Sequence, residues 1–165
     1  MGNTNQTPGS YFKKINYEAV QTAQKHLKGS RPPRDTLILI STLPSTEQQL
    51  LISHTIDYTR EEPIINKAVA DRKTTLLHII VYGKNSNDNS VYTKASQLME
   101  LGFTHVYIYI GGLFEWLLLQ DIYGADVFKT TAAEVDILKY KPVLNDDFVN
   151  HFGTPGGATA LSLEY

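Results

Sequence analysis

Ser86 and Ser90 stand in a polar run, Gly83-Lys84-Asn85-Ser86-Asn87-Asp88-Asn89-Ser90, directly after the apolar segment Thr74–Tyr82. A hydroxyl attacks an acyl or phosphoryl centre when a base is within reach, and a loop entering a helix presents free backbone N–H groups to an anion. The sequence identifies no base for either serine, and it contains no Gly-x-Ser-x-Gly elbow. Ser90 therefore reads as a helix N-cap and Ser86 as a turn residue. Lys84, beside the loop amides, suits a small anion. The histidines His26, His54, His78, His105 and His151 have no i,i+4 pair or other metal-ligand spacing, so no metal site is expected. The adjacent carboxylates Asp146 and Asp147 read as solvated surface. Gly153-Thr154-Pro155-Gly156-Gly157 lacks the Lys-Ser/Thr ending of a phosphate loop.

The elements around this loop follow from punctuation and period. Residues 1–16 are polar and aperiodic, and a helix is predicted over Tyr17–Leu27, with Asn16 as N-cap and Gly29 past its end. Ser30 to Arg34, with two prolines, breaks the chain. Thr36–Ser41 is a continuous apolar run suited to a strand covered on both faces, and Gln49–His54 reads as a second, shorter strand. A helix opens at Arg60-Glu61-Glu62-Pro63, with Pro in its first turn and Ile64, Ile65, Ala68 and Val69 as its buried stripe.

Thr74–Tyr82 is the strongest strand in the sequence, and Gly83–Asn89 is too polar to be anything but a loop. Ser90 then opens a helix that buries Val91, Ala95, Leu98 and Met99, with Gly102 as its left-handed stop. His105–Ile110 is a strand, Gly111-Gly112 a turn, and Leu113–Tyr123 a helix stopped by Gly124. Thr131-Ala132-Ala133-Glu134 has capping-box spacing and predicts a last helix through Tyr140, ended by Pro142, with an irregular tail beyond. Strands alternating with helices predict a parallel α/β sheet with helices on both faces. In such a sheet ligands sit at the carboxyl ends of the strands, where Ser41-Thr42, the Gly83–Asn89 loop and Gly111-Gly112 would all open.

Composition narrows the chemistry. The 165 residues are 42% hydrophobic and 19% charged, which suits one globular domain. Fifteen Lys and Arg against 17 Asp and Glu leave a net charge of −2, with no broad attraction to nucleic acid or an anionic membrane. The chain has no cysteine, which excludes disulfides, cysteine-ligated zinc, iron–sulfur clusters and every thiolate mechanism. No run reaches the ~18 apolar residues of a membrane helix, and the first residues lack a secretory apolar core. Gly2 meets one requirement of N-myristoylation, but Gln6 stands where Ser or Thr is needed. The expected setting is intracellular, cytoplasmic or cytoskeletal.

One pattern resembles the rhodanese-like family: a strand, a cysteine loop, a helix ending in Gly-Phe, a strand, then Gly-Gly and a Trp. Val81-Tyr82-Gly83 to Ser90, Leu98 to Leu101-Gly102-Phe103, Val106-Tyr107-Ile108-Tyr109 and Gly111-Gly112-Leu113-Phe114-Glu115-Trp116 follow that order and spacing. Leu39-Ile40-Ser41 and Ser53-His54-Thr55-Ile56 fall where the family has an Asp-x-Arg turn and a Gly-His-Ile motif. The resemblance spans about residues 35–124. It implies an open parallel sheet of the rhodanese-like type, and a loop cysteine that carries a persulfide or, in related phosphatases, attacks phosphate. Gly83 stands at the cysteine position and Asn89 at the position of the phosphatases' clamping arginine, so both groups are missing. The Asp-x-Arg turn is absent at Ser41-Thr42-Leu43. The resemblance gives His54 the role of holding the loop.

The helix Leu113–Tyr123 is apolar around most of its circumference, through Phe114, Trp116, Leu117, Leu118, Leu119 and Ile122. Either residues 125–165 wrap over it or a partner covers it. Phe114, Trp116, Leu118 and Tyr123 are accordingly the candidate interaction residues. The expected organisation is an N-terminal extension with one helix (1–34), a rhodanese-like core (35–124) and a C-terminal helix and tail (125–165). The expected function is a non-catalytic protein-interaction or structural subunit without cofactor. Similarity to single-domain sequences of protists and large DNA viruses points to a cytoskeletal, ciliary or virion assembly. Anion or small-ligand sensing through residues 83–89 is the alternative, and a hydroxyl-based hydrolase or transferase the third.

Overall fold

The computed structural model describes residues 11–29 and 37–153. Gly2, the Ser30–Arg34 break and the glycine-rich run after Gly153 lie outside the described residues. Strands β1 (Lys13–Ile15), β2 (Leu37–Ser41), β3 (His78–Tyr82) and β4 (His105–Tyr109) form one parallel sheet in the order β1-β4-β3-β2. Helices α1 (Tyr17–Lys28), α2 (Tyr58–Ala70), α3 (Ser90–Glu100), α4 (Gly112–Tyr123) and α5 (Asp147–Phe152) complete the elements. This is the expected α/β architecture, with helices on both faces of an open parallel sheet.

Period-two alternation divides the core between the two faces. Leu39, Ile80, Tyr82 and Tyr109 pack with α1 and α4 on one side. Ile40, Ile79, Val81, Val106 and Ile108 pack with α2 and α3 on the other. Burial on both sides explains why β2 and β3 read as continuous apolar runs. Asn16 caps α1 by accepting the Ala19 N–H at 3.2 Å, and Gly124, at φ +104°, ends α4.

Several expected elements differ. The segment through residue 16 contains β1, an edge strand that its lysines disguise. Gln49–His54 is not a strand: Leu50, Leu51 and Ile52 are buried as irregular backbone, tied to residues 129–131 by one isolated antiparallel bridge and the Thr131 hydroxyl. The strand expected from Thr74 begins only at His78, because Leu76 and Leu77 turn back onto the Lys73 carbonyl. Helix α2 starts at Tyr58 on the Asp57 cap, which places Pro63 inside it rather than in its first turn, and Val69 is exposed.

The capping box at Thr131 caps nothing. Its hydroxyl accepts the Leu51 N–H, Glu134 pairs with Lys139, and only a 3-10 turn forms at Ile137–Tyr140. A helix forms instead in the expected irregular tail, as α5. Among the described residues, no helix is long and apolar enough to cross a membrane.

Candidate functional site

The Gly83–Asn89 loop leaves the carboxyl end of β3, at the edge where an open parallel sheet places its ligands. Its carbonyls are tied down first. Leu113 and Phe114, in the first turn of α4, donate their N–H groups to Gly83 O and Lys84 O, both at 2.9 Å. That contact requires glycine at 112, which has φ +67° and where a Cβ would lie 2.8 Å from Gly83 O and 2.9 Å from Asn85 N.

The concave side of the loop is filled by its own carboxylate. Asp88 Oδ2 accepts the Lys84 N–H at 2.9 Å, while Oδ1 accepts the Ser90 N–H at 3.0 Å and lies 2.6 Å from Ser90 Oγ. Burial by itself pushes the Asp88 carboxyl up. The hydrogen bonds from Lys84 and Ser90, with the Lys84 charge, outweigh it and hold the group below its ordinary 3.8. Asp88 is therefore an anion sitting among the amides of the loop. A Cβ at Gly83 would lie 2.5 Å from Asp88 Oδ2 and 3.0 Å from Val91 Cγ1. A side chain at this position cannot be added without moving that carboxylate.

The outer side of the loop holds the C-terminal segment. Asn85 is buried, accepts the Asn87 N–H on Oδ1 and donates Nδ2 to Tyr140 O at 3.0 Å; Asn87 Nδ2 donates to Val143 O at 2.9 Å. The Tyr140 side chain joins the core cluster of α1 and α4. Lys84 Nζ lies 3.6 Å from Glu47 Oε1 and 5.9 Å from the Tyr140 ring centroid. The loop is thus packed between α4, its own Asp88 and a strap of residues 140–143.

Of the sequence-derived site residues, Gly83, Lys84, Asn85, Asp88 and Ser90 converge, whereas Ser86, Asn87 and Asn89 are exposed around the loop. Ser90 is not the N-cap. It is the first residue of α3, and Asp88 supplies the side-chain acceptor. A carboxylate beside the Ser90 hydroxyl is the partner that a serine mechanism would need. Asp88, however, is held acidic and already meets three donors, which makes it a cap and a poor proton acceptor. Thr42 Oγ1 lies 2.6 Å from Ser90 Oγ and 3.4 Å from Tyr82 O; with the Ser90 proton given to Asp88, the single Thr42 proton serves one of those two acceptors.

His54 does not hold the loop. It is exposed at φ +75° and faces a groove beside α1 with Gln24, Lys25 and Lys129. The neighbouring 52–55 turn is held instead by the Tyr82 hydroxyl, which accepts the Ile52 N–H at 3.1 Å and meets Thr55 Oγ1 at 2.7 Å. Burial pushes the Tyr82 hydroxyl up to about 12, so it stays protonated. His78 and His105 stack across adjacent strands, with ring centroids 4.2 Å apart, at the opposite edge of the sheet. Among the described residues, no cluster of His, Asp and Glu could hold a metal ion.

The interaction candidates on α4 separate. Trp116 is fully buried and must be removed from that set: its Nε1 donates to Lys129 O at 3.0 Å and its ring meets Phe128 edge-on at 5.0 Å. Residues 128–140 therefore cover this face from within the chain. Phe114 is half-buried, while Leu118 and Tyr123 are exposed together with Ile122. No local pattern in the sequence marks Asn85 and Asn87 as the strap's anchors, nor Tyr140 or the exposed α5 side chains. Asp88-Asn89-Ser90 at a helix start is the sequence signal for the acceptor at the start of α3, where Asn89 holds the N-cap position and Asp88, one residue before it, accepts the Ser90 N–H.

A family model, the rhodanese-like domain, matches residues 19–119. Among solved structures the chain is similar to the Alr3790 protein from Anabaena sp., at 20% identity over 76% of this chain and 97% of that one, with a TM-score of 0.46. It is also similar to the BH2092 protein from Bacillus halodurans, at 18% identity over 68% of this chain and 74% of that one, with a TM-score of 0.49. No curated protein matches it. The family's catalytic thiol is absent, because the sequence has no cysteine. Since the family match spans more than half of its length, the chain belongs to the rhodanese-like domain family.

Proposed function

We propose that this chain is a non-catalytic rhodanese-like domain that works as a protein-interaction or structural subunit of a larger assembly. The observation that carries the reading is the self-filled loop. Asp88 takes the Lys84 and Ser90 N–H groups, and the strap takes the Asn85 and Asn87 side chains. What the loop positions is the C-terminal segment, whose Val135, Val143, Leu144, Phe148 and Phe152 side chains stand exposed. Phe148 and Phe152 hold their rings 4.9 Å apart, and apolar side chains displayed together mark an interaction surface.

The small-anion reading has less support. A second anion would have to displace or neighbour the Asp88 carboxylate, and Lys84 is already shared between Glu47 and Tyr140. The test is turnover. The purified chain, given thiosulfate with a cyanide acceptor or an aryl phosphate, is expected to show none. Gly83→Cys is expected to remain inactive, since its side chain meets Asp88 and Asn89 supplies no clamp. Turnover by the unmodified chain, or gain of phosphatase activity by Gly83→Cys alone, would overturn the reading.

A further inference from the structure

α1 does not close over the whole of its face of the sheet. Beside it lies a cavity of about 400 Å³, lined by Ile15, Ala19, Ala23, Leu37, Ile80 and Tyr107, with Thr22, His26 and His78 at its polar margin. Among the described residues, none that lines it is a carboxylate. Lys13 stands at the margin, its ammonium 5.5 Å from the Tyr107 ring centroid. An apolar cavity on the order of 150 Å³ accepts one benzene ring, so this groove has room for two.

A plug of that size is displayed on α5. Every residue of α5 is exposed, and Phe148 and Phe152, one turn apart, hold their rings 4.9 Å from each other. They are 71% and 63% exposed, respectively, and Asp146 and Asp147 precede them. Two aromatic rings behind two carboxylates match an apolar two-ring groove with a lysine at its margin.

We propose that α5 of one copy seats Phe148 and Phe152 in the groove beside α1 of a second copy, so that the chain associates head to tail. This deepens the reading above and rests on it. The placement of the two surfaces argues for a second copy over the same one. Asn87 pins Val143 at the carboxyl edge of the sheet, and α5 begins four residues later. The groove reaches the amino edge at Leu37 and His78, the first residues of β2 and β3. A five-residue strand puts roughly 16 Å between those edges, and within one copy neither Phe148 nor Phe152 lines the groove. A contact between two different surfaces repeats from copy to copy and is not limited to a dimer.

The experiment is sedimentation velocity of the full chain over a wide concentration range, with two single-sided variants, Phe148→Asp and Thr22→Arg. Both positions are exposed, and unchanged thermal melts would show that each variant folds. The unmodified chain is expected to grow with concentration in steps of 18.5 kDa, and each variant alone to remain monomeric. An equimolar mixture of the two is expected to form a 1:1 dimer that grows no further, because it retains one intact plug and one intact groove. A monomeric wild type at every concentration would overturn the inference, and so would variants that associate like wild type or a mixture that does not pair. The proposed function fails on turnover and this inference on mass, so the two failures are distinguishable.

Discussion

At the scale of single residues, Asp88 decides what the loop can do. It supplies the side-chain acceptor at the start of α3 and neutralises the Lys84 and Ser90 N–H groups with a full negative charge. Asp88→Ala is expected to lower stability by about 1–2 kcal/mol, the range for loss of a helix cap, read from urea midpoints at neutral pH. The pH dependence has a definite sign. The folded carboxyl is held below 3.8, so its contribution is fully present above the unfolded value and is lost as pH falls through the folded one. Below about pH 4 the wild type should therefore lose stability more steeply than Asp88→Asn, which keeps an acceptor but does not titrate. Equal acid slopes for the two proteins would remove Asp88 from this role. Gly112 is the second decisive residue. Gly112→Ala forces a Cβ into the Gly83 carbonyl at positive φ and should cost about 1–3 kcal/mol in the same measurement.

At the scale of elements, the parts legible in the sequence are those whose signals are local. α1 between Asn16 and Gly29, α4 between Gly111 and Gly124, and the apolar runs of β2 and β3 each carry their own caps or burial pattern. The missing thiol chemistry was legible in the same way, from Gly83, Asn89 and the absence of cysteine. What was not legible depends on partners distant in the chain. Leu50-Leu51-Ile52 has a strand's composition, but its hydrogen bonds go to residues 129–131 and to the Tyr82 hydroxyl. Thr131 and Glu134 have a capping box's spacing, yet Leu51 and Lys139 claim their side chains. The same competition explains Trp116. An aromatic on an apolar helix suits a binding hot spot until Phe128 and Lys129 fold back over it. Trp116→Ala should therefore act as a core truncation, costing about 3–5 kcal/mol in thermal or urea unfolding. Ile122→Ser, at a position of α4 that is 70% exposed, should change stability by less than about 0.5 kcal/mol.

At the scale of the whole molecule, the loop couples the sheet to the displayed helix. Asn85 and Asn87 hold the strap by two side-chain hydrogen bonds to Tyr140 O and Val143 O, and the strap leads directly into α5. Fixing a docking element in place lowers the ordering cost of association. Releasing the strap should weaken assembly even though neither Phe148 nor the groove is altered. The double variant Asn85→Ala, Asn87→Ala tests this. Amide exchange over residues 141–153 should accelerate, because the backbone carbonyls that anchored the strap lose their donors. Self-association in sedimentation should weaken several-fold, with the melting transition of the sheet retained. A tether that only connects α5 to the domain would give faster exchange with unchanged association. That outcome would confine the loop to holding the strap and leave Phe148 and Phe152 to act from a flexible arm.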